Sequence, residues 1–250
     1  MNEIIIHGLT IGYRRKTVAE NLSATICSGT LTCLIGRNGL GKSTLLRTLA
    51  GFQPALKGSV TLSIDGKSHD LASLDKAALA RLISVVLTEK VDVNNMTAAE
   101  IVAMGRMPYT NFFGSLRPDD RDIVDRALRM VGMESFAMRD INSLSDGERQ
   151  KIMIAKALAQ QTPIIILDEP TAFLDYPSKV ETMRLLANLA YEMGKIVVAS
   201  THDIDIAMRT DCQLLTIEPQ QGLREVGKDE LRKAIEKLSF VKQTDKKRGG

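Results

Sequence analysis

Residues 36–44 read Gly-Arg-Asn-Gly-Leu-Gly-Lys-Ser-Thr and lie between an apolar run, residues 31–35, and a helical pattern, residues 45–50. The glycines allow the backbone to turn sharply with its N–H groups pointing inward, where they can hold phosphate oxygens. Lys42 can then reach the β- and γ-phosphates of a nucleotide, and the Ser43 hydroxyl can bind Mg²⁺. The positive end of the following helix dipole favours the same ligand. The pattern predicts a nucleotide phosphate site; the alternative is a glycine-rich turn before a helix.

A pair of carboxylates follows a second apolar run, residues 163–167, which is typical of a parallel strand buried on both faces. Asp168 and Glu169 end this strand, and two carboxylates there are costly unless something positive lies beside them. Mg²⁺ and a nucleotide would supply that charge, with Asp168 in the metal shell and Glu169 orienting or deprotonating the attacking water. The alternative is a pair of solvated carboxylates.

His202 follows the next apolar strand, residues 196–199, so we expect it at the same edge of the sheet as the two carboxylates. From that edge an imidazole can hydrogen-bond a γ-phosphate or a water, although a lone histidine is usually structural. His7 and His69 have no such context, and we assign them no role.

Two further stretches can touch a nucleotide. Ser145 and Glu148 form a capping box before a helix that should run to about Gln160, and a serine and a glycine at a helix N-terminus present a hydroxyl, an N–H and a dipole to an anion. The alternative is simply a well-capped helix. Tyr13, beside Gly12 and three basic residues, can stack on a purine or can equally be a turn tyrosine that covers a sheet edge.

The elements that must position these residues indicate an α/β fold. Near-alternating apolar residues over 4–11 and 22–26 predict antiparallel strands ahead of the glycine-rich loop, and residues 60–66 predict a strand and a hairpin turn. Residues 75–160 carry several helix starts and little strand signal, which indicates an inserted helical subdomain. The pattern predicts a helix from Thr97 that ends at Gly105, and a second from Asp119 that ends at Gly132.

The loop between these two helices contains Tyr109, Phe112 and Phe113, although aromatic residues are only 4% of the chain. They form either a surface patch that faces a partner or a small cluster packed under a long loop. Near the C-terminus, residues 214–226 predict a hairpin and residues 231–238 an amphipathic helix face.

Bulk properties bound the class of protein. With 250 residues the chain can form one large α/β domain or a core with an inserted subdomain, and a net charge of +3 is too small to indicate nucleic acid as the main partner. Cys27, Cys33 and Cys212 are odd in number and suit free thiols in a reducing cytoplasm. No signal peptide is visible, and no apolar run approaches the roughly 20 residues that span a bilayer.

Taken together, these stretches resemble the ATP-binding subunit of an ABC transporter. The resemblance covers residues 1–240 as a single ATPase domain, with about 90–160 as its helical subdomain and 241–250 as a basic tail expected to be disordered. The matching motifs are Walker A (Gly36 to Thr44), the family signature (144–148), Walker B (164–169), the D-loop (172–175) and the switch histidine (His202).

The resemblance implies a P-loop NTPase core with a mixed, mainly parallel sheet, an N-terminal antiparallel β subdomain, and ATP and Mg²⁺ as cofactors. Lys42, Glu169 and His202 would be catalytic. The implied nucleotide-binding residues are Tyr13, Gly36, Asn38, Gly39, Gly41, Lys42, Ser43, Thr44, Ser145, Gly147 and Asp175. In this family two ATPase subunits pair head to tail, so Ser145 and Gly147 would meet the γ-phosphate held by the other copy.

Three departures from the family pattern stand out. Asp146 and Glu148 replace the commoner glycine and glutamine of the signature, and Ala172 stands where the D-loop often has serine. Where the family usually has the Q-loop glutamine, this chain has Thr88 and then Glu89. Thr88 and Glu89 are candidate metal ligands beside Ser43 and Asp168. Because a threonine hydroxyl cannot reach as far as a glutamine, Glu89 or a bridging water would substitute for the missing side chain.

Residues 96–106 and 170–175 resemble the importers of iron-siderophores, haem and cobalamin. This resemblance implies a motor on the inner face of the cell membrane, docked on a permease dimer, served indirectly by a substrate-binding protein and without a nucleic-acid partner. The alternatives are a soluble ABC ATPase of DNA repair or translation, an ABC subunit for another substrate, or a regulator that binds nucleotide without hydrolysing it.

Overall fold

The computed structural model describes residues 1–14, 16–88, 95–110, 115–218 and 222–233. The strands are β1 (Glu3–Tyr13), β2 (Lys16–Cys27), β3 (Leu31–Ile35), β4 (Lys57–Ile64), β5 (Lys67–Asp70), β6 (Ile83–Val86), β7 (Ile164–Leu167), β8 (Ile196–Thr201), β9 (Cys212–Glu218) and β10 (Gly222–Glu225). The α-helices are α1 (Lys42–Leu49), α2 (Lys76–Leu82), α3 (Ala98–Ala103), α4 (Pro118–Met130), α5 (Asp146–Ala159), α6 (Tyr176–Met193) and α7 (Ile204–Arg209). Glu89, Phe112, Phe113, the helix face beyond residue 233 and the tail 241–250 lie outside the described residues.

Two sheets build the fold. A four-stranded antiparallel sheet has the order β2-β1-β4-β5, and a six-stranded sheet has the order β10-β9-β3-β8-β7-β6. All neighbours in the larger sheet are parallel except β9 and β10, which form the predicted hairpin. The predicted fold class, a mainly parallel mixed sheet with an N-terminal antiparallel β unit, is confirmed. Within the described ranges no helix is long and apolar enough to cross a membrane.

The central strands are apolar throughout because both of their faces are covered. On β7, Ile164 and Ile166 join a core shared with the antiparallel sheet and α1, whereas Ile165 and Leu167 join the core beneath the helices. Strand β8 divides its side chains in the same way. The parallel strands therefore end together at one edge, and their following loops meet there.

Residues with positive φ, most of them glycines, end several of these elements, among them the predicted turn after β4 and the predicted stop at Gly132. Asp65 and Gly66 both have positive φ in the tight turn between β4 and β5, Gly132 follows α4, and Gly194 caps α6. The described cysteines carry free thiols, as predicted; Cys33 is buried, and Cys27 and Cys212 are half-buried.

The predicted end of the third helix is wrong. Helix α3 continues without a break into a 3-10 turn, Met104–Tyr109, so the helical conformation passes through Gly105. A Cβ at Gly105 would lie 2.3 Å from the carbonyl oxygen of Lys156 on α5. The glycine therefore permits close packing between two helical segments and does not end the helix.

A buried ion pair ties the helical layer together. Arg106 and Asp120 are 5% and 4% exposed, and their Nε and Oδ1 atoms lie 2.8 Å apart. The same guanidinium donates to the Ala159 carbonyl at 2.7 Å and lies over the Tyr109 ring at 4.2 Å. Tyr109 also donates to the Gln160 carbonyl at 3.0 Å. The described part of the aromatic loop is thus packed onto the end of α5.

Candidate functional site

The glycine-rich loop joins β3 to α1 and adopts a conformation that only glycine allows easily. Gly36, Gly39 and Gly41 have φ of 141°, 87° and 95°. A Cβ at Gly41 would lie 2.8 Å from Cγ1 of Val18. Helix α1 starts with neither a side-chain cap nor an acidic residue in its first turn. Its first N–H groups are therefore available to an anion.

Lys42 lies across this loop. Its Nζ donates to the carbonyl oxygens of Gly36 at 2.7 Å and Arg37 at 3.0 Å, and the residue is only 5% exposed. Burial lowers the pKa of Lys42, while the nearby carboxylates of Glu169 and Asp168 oppose that shift. Phosphate oxygens at the loop would offer this partly desolvated ammonium better acceptors than two neutral carbonyls.

A cavity of about 360 Å³ opens at the loop. Its lining residues are Val18, Asn38, Gly39, Gly41, Lys42, Ser43, Thr44 and Glu169. The fold therefore brings most of the predicted phosphate-binding residues and the predicted catalytic carboxylate around one space. Ser145, Gly147, Asp175, His202, Gly36 and Tyr13 are not among the residues that line it.

Asp168 is the centre of a small polar group at the end of β7. Its Oδ1 accepts hydrogen bonds from Ser43 at 3.0 Å and from Ser200 at 2.7 Å, and Asp168 is 7% exposed. Sequence reasoning missed Ser200; the available signal was its place at the end of β8, two residues before His202. Within the described ranges no group of three or more histidine, cysteine, aspartate or glutamate residues could hold a metal.

Glu169 adopts φ of 49°, in the left-handed region that is unusual for a residue with a side chain. Its amide donates to Ser200 Oγ at 2.8 Å, so the same serine holds both carboxylate residues. The Glu169 Oε2 lies 2.8 Å from Nδ1 of His202, whose side chain is 51% exposed. Because an ionised carboxylate can only accept, Nδ1 carries the proton of this bond. The structure therefore brings His202 to the carboxylate edge, as predicted.

Tyr13 ends β1 beside the loop. Its hydroxyl lies 3.5 Å from Oγ1 of Thr44, and the residue is 48% exposed. Gln53 supports the turn by donating to the carbonyl of Gly12 at 3.2 Å. Tyr13 thus contacts α1 through its hydroxyl and keeps an exposed surface near the glycine-rich loop. This position is compatible both with stacking on a purine and with covering a sheet edge.

Thr88 braces the carboxylate strand. Its hydroxyl donates to the backbone carbonyl of Asp168 at 2.7 Å, and the Asp168 amide donates back to Val86 at 2.9 Å. The proton of this hydroxyl is therefore used in fixing the end of β7. A metal-binding role for Thr88 remains a prediction.

The signature residues lie at the start of α5 and do not line the cavity at the loop. Ser145 caps α5 in the predicted capping box with Glu148. A Cβ at Gly147 would lie 3.2 Å from Ser178 Oγ, and Asp175 caps α6 by accepting from the Ser178 amide at 3.0 Å. Asp146 and Arg149 share a small space of about 50 Å³ with Glu169 and Thr88.

Comparison with known proteins identifies relatives along most of the chain. Residues 19–172 match the protein family described as ABC transporter. An uncharacterized ABC transporter ATP-binding protein of Methanocaldococcus jannaschii is 46% identical over 80% of this chain and 68% of its own length. The ferric enterobactin transport ATP-binding protein of Escherichia coli is 38% identical over 84% of this chain and 76% of its own length.

A solved structure supports the same grouping. The dimeric structure of a post-hydrolysis state of an ATP-binding cassette, bound to ADP and phosphate, matches with a TM-score of 0.73 and 27% identity. The match covers 90% of this chain and 99% of that one. The range matched to the family contains both the glycine-rich loop and the carboxylate pair at the end of β7.

Proposed function

The chain belongs to the ABC transporter family, and we propose that it is the ATP-hydrolysing subunit of an importer for an iron-siderophore, haem or cobalamin. The observation that carries the catalytic part is the meeting of three groups at one sheet edge. They are the glycine-rich loop with Lys42, the Asp168 carboxylate with the serine hydroxyls that donate to it, and the Glu169–His202 pair. Support for the importer comes from similarity to a protein named for ferric enterobactin transport.

Each of these residues has a role that follows from its surroundings. Lys42 and the uncapped N–H groups of α1 bind the phosphates and stabilise the charge that develops on them. Glu169 orients the attacking water and accepts its proton, while His202 holds the carboxylate through its Nδ1–H; with its ring doubly protonated, His202 can also donate from Nε2 to the γ-phosphate. Tyr13 offers its exposed ring to the adenine.

The residues at the end of β7 fit Mg²⁺. The exposed hydroxyl of Ser43 lies 3.0 Å from the Asp168 carboxylate, and both are the hard oxygen ligands that Mg²⁺ prefers alongside water and phosphate oxygens. When bound, Mg²⁺ would supply positive charge beside the β- and γ-phosphates. Ser200 orients Asp168 for this role by donating to the same oxygen at 2.7 Å.

A second copy completes the site. Ser145 and Gly147 do not line the cavity at their own loop, and a head-to-tail pair would bring them to the γ-phosphate held by the other copy. The similarity to a dimeric cassette supports this arrangement. The pair would dock on a membrane permease at the inner face of the membrane, and a separate substrate-binding protein would deliver the cargo. Nucleic acid has no part in this function.

Replacing Glu169 with glutamine tests the catalytic proposal. Glu169→Gln removes the proton acceptor and keeps the side chain's size, so ATP binding should persist while phosphate release falls by about 10³-fold or more. The bound ATP should then hold two copies together, and light scattering should detect this dimer. Glu192→Gln, at an exposed position near the end of α6, is the matched control and should keep full turnover. Normal phosphate release by Glu169→Gln would refute the role of this carboxylate.

The transport proposal needs a cellular measurement. Cells whose only copy carries Glu169→Gln should lose uptake of one substrate among labelled ferric siderophore, haem and cobalamin, whereas cells with Glu192→Gln should keep it. Unchanged uptake of all three, together with lost phosphate release, would leave the ATPase assignment intact and refute the choice of cargo. Recovery of the protein with ribosomes or DNA in place of membranes would favour a soluble ATPase.

A further inference from the structure

The hydroxyl of Ser145 is already engaged within its own helix. Ser145 Oγ donates to Oε2 of Glu148 at 2.8 Å, and the Ser145 amide donates to the same oxygen at 2.8 Å. The Glu148 amide in turn donates to Ser145 Oγ at 3.3 Å. A serine hydroxyl has one proton, so Ser145 cannot donate to this carboxylate and to a phosphate at the same time.

The start of α5 also carries more negative charge than the other phosphate-facing helix start. Asp146 and Glu148 both lie in the first turn of α5, whereas the first turn of α1 has no acidic residue. The two hydrogen bonds from Ser145 lower the pKa of Glu148, so its carboxylate stays ionised at neutral pH. Arg149 Nη1 lies 3.9 Å from Asp146 Oδ1, and the positive charges of Arg139 and Lys151 also lower the pKa of Glu148.

We propose that Glu148 is a positioning residue that competes with the γ-phosphate for the Ser145 hydroxyl and so weakens the closed ATP-bound dimer. This inference rests on the proposed function, in which Ser145 of one copy meets the phosphate held by the other. Closure switches the hydrogen bond of the Ser145 hydroxyl from the carboxylate to the phosphate and leaves two anions close together.

The size of the effect follows from the geometry. A phosphate oxygen about 2.7 Å from Ser145 Oγ would lie at most about 5.5 Å from Glu148 Oε2, since Oγ and Oε2 are 2.8 Å apart. Repulsion between two unit charges at this distance lowers affinity by about fourfold at the dielectric constant of water and by about 150-fold at the value typical of a protein surface, so for this solvent-accessible carboxylate we expect about a tenfold loss. A symmetric dimer contains two such sites, so the dimer dissociation constant would be raised by about a hundredfold.

The test compares variants in the Glu169→Gln background, in which ATP persists. Glu148→Gln keeps an acceptor oxygen for the capping box and removes the charge. With saturating ATP and Mg²⁺, sedimentation equilibrium should show a dimer dissociation constant lower by about ten- to a hundredfold than that of the parent. Melting temperatures without nucleotide report any damage to the cap.

Glu100→Gln is the matched control, because Thr97 and Glu100 form the same capping box on α3. Thr97 donates to Glu100 through its amide at 2.8 Å and its hydroxyl at 2.9 Å. This variant should change the melting temperature as Glu148→Gln does and leave the dimer constant unchanged. If the parent dimerises and Glu148→Gln matches it, the inference is refuted and the proposed function stands. If neither dimerises with ATP, both are refuted.

Discussion

Replacing Ser200 with alanine should destabilise the protein and impair catalysis together. Ser200 is completely buried, and its hydroxyl donates to Asp168 Oδ1 at 2.7 Å while accepting the Glu169 amide at 2.8 Å. An alanine removes both hydrogen bonds without adding bulk. The oxygen thus links β8 to the two residues that follow β7.

The magnitude can be worked from these two contacts. A hydrogen bond to an ionised, nearly buried carboxylate contributes about 1.5–3 kcal/mol, and leaving the Glu169 amide without an acceptor costs about 1–3 kcal/mol. The strained φ of 49° at Glu169 depends on that amide contact, so its backbone should relax when the contact is lost. We expect the free energy of unfolding to fall by about 3–5 kcal/mol. A carboxylate displaced by about 1 Å should lower turnover by about 100-fold.

Urea unfolding without nucleotide measures the first effect, and phosphate release at saturating ATP and Mg²⁺ measures the second. Ser84→Ala is the matched control, because Ser84 is also fully buried on a strand of the same sheet, β6, but donates one long bond, 3.4 Å, to the neutral carbonyl of Ile164. It should cost about 1 kcal/mol or less. The reasoning is refuted if both variants unfold at the same urea concentration and Ser200→Ala retains full turnover.

Two further predictions concern the helical layer. Gly105→Ala would place a Cβ 2.3 Å from a backbone oxygen of α5 and should lower the free energy of unfolding by about 1–3 kcal/mol in thermal melts, whereas Gly227→Ala, with nothing within 4 Å, should be neutral. Asp120→Asn leaves Arg106 buried and unpaired, so at pH 7 it should cost about 3–5 kcal/mol. The Arg117 amide and the Arg106 guanidinium lower the pKa of Asp120, so the carboxylate's contribution to wild-type stability is lost from about pH 5 downward. The difference in unfolding free energy between wild type and Asp120→Asn should therefore shrink, and a difference that stays constant to pH 3 would contradict the role of this ion pair.

Much of the fold follows from local pattern. Strands β7 and β8 read as continuous apolar runs because helices cover one face and a second sheet covers the other. Gly194 and the turn at Asp65 and Gly66 ended their elements because positive φ is a local requirement that glycine and aspartate meet. Signals of this kind can be identified in a single sequence, because they do not depend on which residues pack against them.

Signals that depended on distant packing were misread or missed. Gly105 looked like the end of a helix, yet a glycine is needed there because the backbone of α5, some 50 residues later in the chain, packs against it. Ser200 was missed as a site residue because its importance comes from the register that places β8 beside β7. The sequence carries the residue types of both positions, but only the folded chain shows which neighbour each one meets.

The candidate site adds a second kind of information that residue types do not contain. Three of the predicted ligand groups already have a partner within the chain: Lys42 its loop carbonyls, Ser43 the Asp168 carboxylate, and Ser145 the Glu148 carboxylate. Nucleotide binding is therefore an exchange of partners, and its free energy is the difference between two sets of hydrogen bonds. The cost of each exchange depends on whether the released partner is buried or exposed to water.

Burial decides which variants affect stability as well as activity. Asp168 is 7% exposed, so removing one of its donors leaves a desolvated charge and should weaken folding as well as catalysis. The side chains of Glu169 and His202 are 20% and 51% exposed, so water can replace whichever partner is lost. Substitution of either should therefore lower turnover with little change in unfolding. Because ligand binding here replaces hydrogen bonds within the chain, the residues that make those internal bonds set the properties of the site. Glu148 and Ser200 are therefore more informative targets than the phosphate loop itself.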